Sequence, residues 1–403
     1  MCTLALKEVV NYYTSRRGRV YCCLLDASKA FDRVRFDKLF AILQHRDIPA
    51  GIIRLLMDMY CRQKVRTVYQ GYYSDQFTAA NGVRQGGVLS PILFTLYIDV
   101  LLERLEESGI GCYVGHEYMG SLCSADDLSL PAPTLVALQR MIEICESYGT
   151  EYDISFNEVK TVGVLFGCRR MQRDNMPQVV MNGEYIKWSD TAKHLGNIVS
   201  ADQSDYAEIH AKKCDFIGRT NSILANFKTI PRAVCSRLFM SQCCHLYGCQ
   251  AWSLDHKMLE PFLVSWRKAI RKLWWLPGQA RSALLPLLVG TEPIEDIVYR
   301  RVANLYKCIM KGHNGKMLHL LKSSVDVNNM GFIGTNIQRI SKRWGCGYDR
   351  LVNYNAQPHD TDLVARAQAV KELTECRQTL SNLDNFSHDE IVTVINNLSC
   401  FRD

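Results

Sequence analysis

The chain has 403 residues, 47% of them hydrophobic and 22% charged, enough apolar material for a sizeable core and for two or three domains rather than a disordered or fibrous protein. Lys and Arg outnumber Asp and Glu by 48 to 41, a formal charge of +7 that suits an anionic partner such as nucleic acid. No apolar run reaches the ~18 residues of a membrane span, the opening MCTLALKEVVNYY lacks a signal sequence's basic and apolar regions, and none of the 17 cysteines forms a C-x-x-C. The expectation is a soluble intracellular protein, nuclear or cytoplasmic, with reduced thiols and no membrane partner. CCHLYGC at 243 to 249 reads as small buried cysteines in an apolar helical stretch rather than as a zinc site.

In chain order, VYCCLL at 20 to 25 is a short apolar run expected of a central strand, ending at Asp26. Phe36, Leu39, Phe40 and Leu43 recur at helical spacing, as do Ile52, Ile53, Leu55, Leu56 and Met59 after Pro49. KVRTVYQ and SDQFTAA alternate like a hairpin. A loop made pliable by Gly82, Gly86 and Gly87 then leads into PILFTLYIDVLLERLEE, predicted as a helix with Ser90 as N-cap and Pro91 at its first position.

Residues 110 to 130 read as two strands around Asp126-Asp127, and LVALQRMIEICESYG as the next helix. ISFNEVKTVGVLFG and the QVVMNGEYIKW hairpin, turning at Asn182-Gly183, are expected to close the sheet. The layout predicts an α+β fold, a split βαβ sheet with helices on one face. From about 203 only helical patterns remain, so the expected domains are 1–202, a helical domain at 203–315, and a less periodic C-terminal region, 316–403.

An Asp-Asp pair alone most often faces water in a turn. In a split βαβ sheet, however, the strand ending at Asp26 would lie beside the hairpin of Asp126 and Asp127. Three clustered carboxylates repel unless cations lie between them, and oxygen donors suit Mg²⁺. Two such ions ~3.5–4 Å apart can activate a hydroxyl and stabilise a leaving phosphate.

LLDASKAFDRV, NGVRQGGVLSPILFTLYID, SADDLSL, FNEVKT and KHLGNIV, in that order, resemble the successive palm motifs of reverse transcriptases of LINE-type non-LTR retrotransposons. The likeness runs from about residue 1 to 200, and WRKAIRKLWWLP resembles the thumb of the same elements. It implies an RNA-directed DNA polymerase with an RNA template, a DNA primer, dNTPs and two Mg²⁺ ions, or Mn²⁺ in their place. Asp26, Asp126 and Asp127 would hold the metals. Phe31 would lie beneath the incoming sugar and reject a 2′-hydroxyl; Arg84, Gln85 and Gly86 would meet the nucleotide and template. Lys160 would protonate the leaving pyrophosphate. The bland alternatives are ordinary core for Phe31 and a solvated charge for Lys160.

On the later basic helix, Phe262, Leu263, Trp266, Ile270, Leu273 and Trp274 share one side, while Lys257, Arg267, Lys268, Arg271 and Lys272 lie elsewhere on its circumference. Such a face is either solvated or, behind a polymerase palm, a grip on duplex phosphates.

The sequence also departs from the family. Ser124 stands where an aromatic usually precedes Ala-Asp-Asp, and Pro131 where a strand residue is expected, which predicts a lost ladder bond. Arg16, Arg17 and Arg19 fall in a turn before the first strand, and the upstream fingers and endonuclease of such elements are not seen ahead of Asp26. A truncated and weakened enzyme is expected. The alternative is an inactive remnant that at most binds nucleic acid; a two-metal nuclease fits poorly with Gln85 and Phe31.

Overall fold

A computed structural model describes residues 1–344, apart from 169–177, 229, 281, 283, 284, 290, 292, 313 and 326–329. The part of the expected C-terminal region beyond 344 lies outside the described residues. The chain divides into two compact units, Met1–Gln203 and Ser204–Asp403.

The first unit runs α1 (Cys2–Ser15), β1 (Val20–Ser28), a 3-10 turn (Ala30–Arg33), α2 (Phe36–His45), α3 (Ala50–Cys61) and the short strands β2 (Lys64–Val65), β3 (Val68–Tyr69), β4 (Tyr72–Tyr73) and β5 (Phe77–Thr78). It continues with α4 (Ser90–Glu107), β6 (Tyr113–Val114), β7 (Glu117–Tyr118), β8 (Leu122–Ser124), β9 (Asp127–Ala132), α5 (Leu135–Tyr152), β10 (Ser155–Phe156) and β11 (Val162–Phe166). Last come β12 (Val180–Met181), β13 (Glu184–Tyr185), β14 (Lys187–Trp188), β15 (Thr191–His194) and β16 (Asn197–Ser200). The main sheet has the order β14-β11-β1-β9-β8, with β10 beside the end of β1.

An unbroken apolar run needs cover on both faces, and β1 has it. Cys23 and Leu25, with Leu128 and Leu130 of β9, join the core formed by α2, α4 and α5. Ser129 belongs to the opposite face, where α1 packs and where a buried imidazole spans two elements: His194 bonds Thr3 Oγ1 at 3.0 Å and Ser129 Oγ at 2.9 Å. Burial, aided by the N-terminal ammonium, lowers the His194 pKa from 6.5 to about 4. The fold is α+β, with α1 adding helical cover to the second face.

Three further expectations are corrected in detail. β1 does not end at Asp26 but continues to Ser28, because Ala27 and Ser28 find partners in Phe156 and Ser155. Ser90 is the first residue of α4 rather than its N-cap, and its hydroxyl instead donates to the Arg84 carbonyl at 2.5 Å. The Asn182-Gly183 hairpin pairs only β12 with β13; the strand that extends the sheet is β14, parallel to β11.

The second unit, among its described residues, is helical: α6 (Tyr206–Asn226), α7 (Arg232–Gln242), a 3-10 turn (Cys249–Ala251), α8 (His256–Leu273), α9 (Leu285–Leu288), α10 (Ile294–Lys311), α11 (Gly315–Ser324) and α12 (Phe332–Trp344). Its polar knot is buried Asn336, whose amide donates to the Trp252 carbonyl at 2.8 Å and to Tyr306 Oη at 3.1 Å while accepting from the Leu254 amide at 2.9 Å. The CCHLYGC stretch follows α7 as an irregular turn rather than a helix; Cys243, Cys244 and Cys249 are buried thiols. No described helix is long and apolar enough to cross a membrane.

Candidate active site

The site begins with a register. Asp26 opposes Asp127 across β1 and β9, and Ser124 opposes Asp127 across β8 and β9, so Ala125 and Asp126 form a two-residue turn. The Ala27 amide donates to the Asp126 carbonyl at 3.3 Å, while the Asp26 carbonyl accepts from the Asn157 amide on the other side at 2.8 Å. Asp26 and Asp127 are thus a non-hydrogen-bonded pair, the kind whose side chains lie closest across an antiparallel ladder. Ala125 at the turn has φ +56°, a left-handed conformation that costs a non-glycine residue about 1–2 kcal/mol.

Two like charges opposed in this way repel, and the electrostatics carry the mark. The Asp127 carboxyl is pushed above the ordinary aspartate range, first by partial burial, then by the Asp126 and Asp26 charges. A divalent cation among these oxygens would relieve that repulsion, so the donor chemistry fits a hard metal. Among the described residues, no three His, Cys, Asp or Glu side chains are already drawn into metal-holding geometry. Asp26 is instead engaged by a lysine.

That lysine is Lys160, whose Nζ lies 3.1 Å from Asp26 Oδ2. Its placement depends on Asn157, whose side-chain oxygen accepts from the Val159 and Lys160 amides at 3.1 Å each. Asn157 thereby fixes both the backbone next to Asp26 and the turn presenting Lys160. Sequence reasoning missed this role, although an Asn opening a short turn after a strand is a signal for it.

The glycine-rich loop docks on the turn after β1. Gln85 Nε2 donates to Asp32 Oδ1 at 3.1 Å, and the Gly82 and Val83 amides donate to the Val34 and Phe31 carbonyls at 2.8 Å each. Gly82 has φ +92°, and a Cβ there would come within 2.8 Å of the Asp32 carbonyl oxygen, so only glycine allows the approach. Phe31 is half-buried and stacks on Phe94 with ring centroids 4.8 Å apart. Arg84 turns to Gln63, donating from Nε at 3.0 Å. Gly86, at φ +82°, has open space around it.

Pro131 requires a correction. It opposes Cys22, two ladder steps of equal parity from the Asp26–Asp127 pair, and is therefore also at a non-hydrogen-bonded position. Its carbonyl faces away from β1 and accepts from the Cys112 amide at 3.0 Å. The last β8–β9 pair is Leu122 with Ser129, so no strand awaits a proline N–H there. No ladder bond is lost.

In the second unit, α8 buries Phe262, Leu263, Trp266, Ile270 and Leu273, as its periodicity predicts. The five basic residues divide. Lys257, Lys268 and Lys272 are exposed along one stripe. Arg267 is ion-paired with Glu260, and Arg271 donates to the Ala280 carbonyl at 2.6 Å and Ser282 Oγ at 2.9 Å.

A model of the reverse transcriptase (RNA-dependent DNA polymerase) family matches residues 3–220, which takes in every strand just described. The chain belongs to the reverse transcriptase family. It is 34% identical over 146 residues to the Pol polyprotein of the type-2 retrotransposable element R2DM of Drosophila melanogaster, covering 36% of this chain and 14% of that one. A second relative, the Pol polyprotein of the type-1 retrotransposable element R2 of Nasonia vitripennis, is 35% identical over 145 residues with 36% and 14% covered. A third, a 149 kDa protein of transposon TX1 of Xenopus laevis, is 31% identical over 182 residues with 44% and 14% covered. These relatives mark the chain as a reverse transcriptase of the non-LTR retrotransposon type, and it spans about one seventh of their length. Among solved structures, apo telomerase from Candida tropicalis has a TM-score of 0.41 at 11% identity, covering 86% of this chain and 55% of that one. Telomerase from Candida albicans in complex with a telomeric RNA fragment gives 0.38 at 12% identity, with 88% and 55% covered.

Proposed function

We propose that this reverse transcriptase core adds deoxynucleotides to the 3′-hydroxyl of a DNA primer along an RNA template, inside the cell, in the nucleus or cytoplasm. The observation that supports this most is the Asp26–Asp127 register, with Asp126 at the adjoining turn and Lys160 on Asp26. In the reaction the primer oxygen bonds to the α-phosphorus, the bond to pyrophosphate breaks, and the hydroxyl proton leaves to solvent. Asp26, Asp126 and Asp127 would hold two Mg²⁺ ions, or Mn²⁺ in their place, which when bound neutralise developing charge and favour the alkoxide. Lys160, set by the Asn157 turn, hands its proton to the departing pyrophosphate.

Phe31, braced by Phe94, offers a flat wall under the sugar and so favours deoxyribose. Gln85, with one amide hydrogen fixed on Asp32, presents the rest of its amide to the nucleotide, and Gly86 lets the backbone approach. The lysine stripe of α8 holds duplex phosphates. A low rate is expected, since Ser124 supplies a small hydroxyl where the family carries a ring. The test is extension of an oligo(dT) primer on poly(rA) with dTTP and Mg²⁺: extension that vanishes in Asp126→Asn is expected, and none by the unaltered chain would overturn the reading in favour of an idle nucleic-acid-binding remnant.

A further inference from the structure

The hairpin between α3 and the glycine-rich loop has an unusual surface. A β-hairpin this small normally covers its apolar side chains, yet Tyr69 is 72% exposed, Tyr72 81%, Tyr73 65% and Phe77 53%. Cross-strand partners share a face, so Tyr69 and Tyr72, which flank a turn at Gln70 and Gly71 (φ +49° and +85°), stand side by side at the tip. Val68 and Tyr73 occupy the other face, where the Arg66 guanidinium lies 5.5 Å from the Tyr73 ring centroid. Lys64 and Arg66 are exposed, Arg62 is ion-paired with Asp58 at 2.8 Å, and Asp75 is the acid within the hairpin itself.

We propose that this hairpin is a single-strand nucleic-acid arm, with Tyr69 and Tyr72 stacking on unpaired bases and Lys64 and Arg66 meeting the phosphates. The inference rests on the polymerase reading for its choice of strand, the unpaired RNA template. Exposed planar rings interleaved with cations are what unpaired bases and their backbone require together. The root of the hairpin is also tied to the loop bearing Gln85, through the bond from Arg84 to Gln63. The neighbouring stripe of α3, Ile52, Leu55 and Met59, is exposed too, but it is aliphatic and offers no ring to stack on a base; it has the character of a protein-facing surface.

The experiment measures binding of fluorescent oligo(U) RNA and of a blunt RNA–DNA duplex to the whole chain. The variants are Tyr69→Ala/Tyr72→Ala, Tyr69→Phe/Tyr72→Phe and Arg66→Gln, each first checked for an unchanged melting curve. The alanine pair should lose about tenfold or more in oligo(U) affinity with little change toward the duplex; the phenylalanine pair should bind as the original does. Arg66→Gln should lower the salt dependence of oligo(U) binding. Unchanged oligo(U) affinity in the alanine pair overturns the proposal, as does a self-association, read by sedimentation, that this pair abolishes without altering RNA binding. Primer extension separates the two readings: ring-dependent RNA binding without extension sinks the polymerase reading alone, and extension with ring-independent binding sinks the arm alone.

Discussion

The two charged regions of the molecule, the aspartate hairpin and the basic helix α8, are built on different principles. In the first, backbone register does the placing. Once β1 and β9 pair, Asp26 must face Asp127, Asp126 must occupy the turn, and each step of the ladder fixes the next. In the second, the helix fixes only the angle of each side chain around its axis. Which cations remain for a partner depends on what lies nearby, and Glu260, the Ala280 carbonyl and Ser282 take up Arg267 and Arg271. A site placed by register should therefore fail sharply on single substitutions, whereas a site placed by helical exposure should fade gradually.

The largest expected effect tests the sharp side. Asp26→Asn should reduce primer extension about 10³-fold or more, because several kcal/mol of charge stabilisation depend on that carboxylate. Lys160→Met should cost ~10²-fold or more. If Asp26→Asn retained most of the rate, the register would be mere architecture. Next comes the support beneath the hairpin. His194 is held neutral by burial, with its folded-state pKa lowered from 6.5 to about 4, so the unfolded chain binds the proton first on acidification. Stability is then complete above 6.5 and falls as the pH drops toward 4, by on the order of 3 kcal/mol. Urea unfolding at stepped pH should show that slope, and His194→Gln should flatten it.

The gradual side predicts less. Changing Lys257, Lys268 and Lys272 to Gln should lower the slope of log affinity against log salt for an RNA–DNA duplex by roughly 2. Arg271→Gln should leave that slope nearly unchanged and instead lower the melting temperature, since it removes two internal bonds of a charged donor, each worth ~1.5–3 kcal/mol. The reverse pattern would mean that the helix presents its arginines to the partner. The last expectation concerns Pro131: replacement by Leu should bring no stabilisation, because no strand waits for the restored N–H and the buried site must accept a larger side chain. A clear stabilisation would contradict the ladder parity argued above.

Much of this was legible in the chain, for identifiable reasons. VYCCLL could be read as a doubly covered strand because burial on both faces demands an unbroken apolar run. The buried side of α8 could be read because helical periodicity and burial are the same fact seen twice. What could not be read were contacts between groups distant in sequence. Asn157 seating Lys160 beside Asp26, Asp32 holding Gln85, and His194 joining Thr3 to Ser129 each involve polar side chains whose identity suits many partners. The extension of β1 past Asp26 depended on β10, more than a hundred residues away, and the harmlessness of Pro131 on the parity of a pairing that no local pattern encodes.

The sequence by itself determined the family, the α+β class, the carboxylates and the apolar faces, because residue type, order and period suffice to specify them. Only the tertiary structure decided which cations of α8 stay exposed, where the Lys160 charge goes, and that the rings of the β2–β5 hairpin stand in solvent. Those outcomes depend on which backbone carbonyls and carboxylates come within about 3 Å, a distance that hydrogen bonds require and that only the folded chain sets.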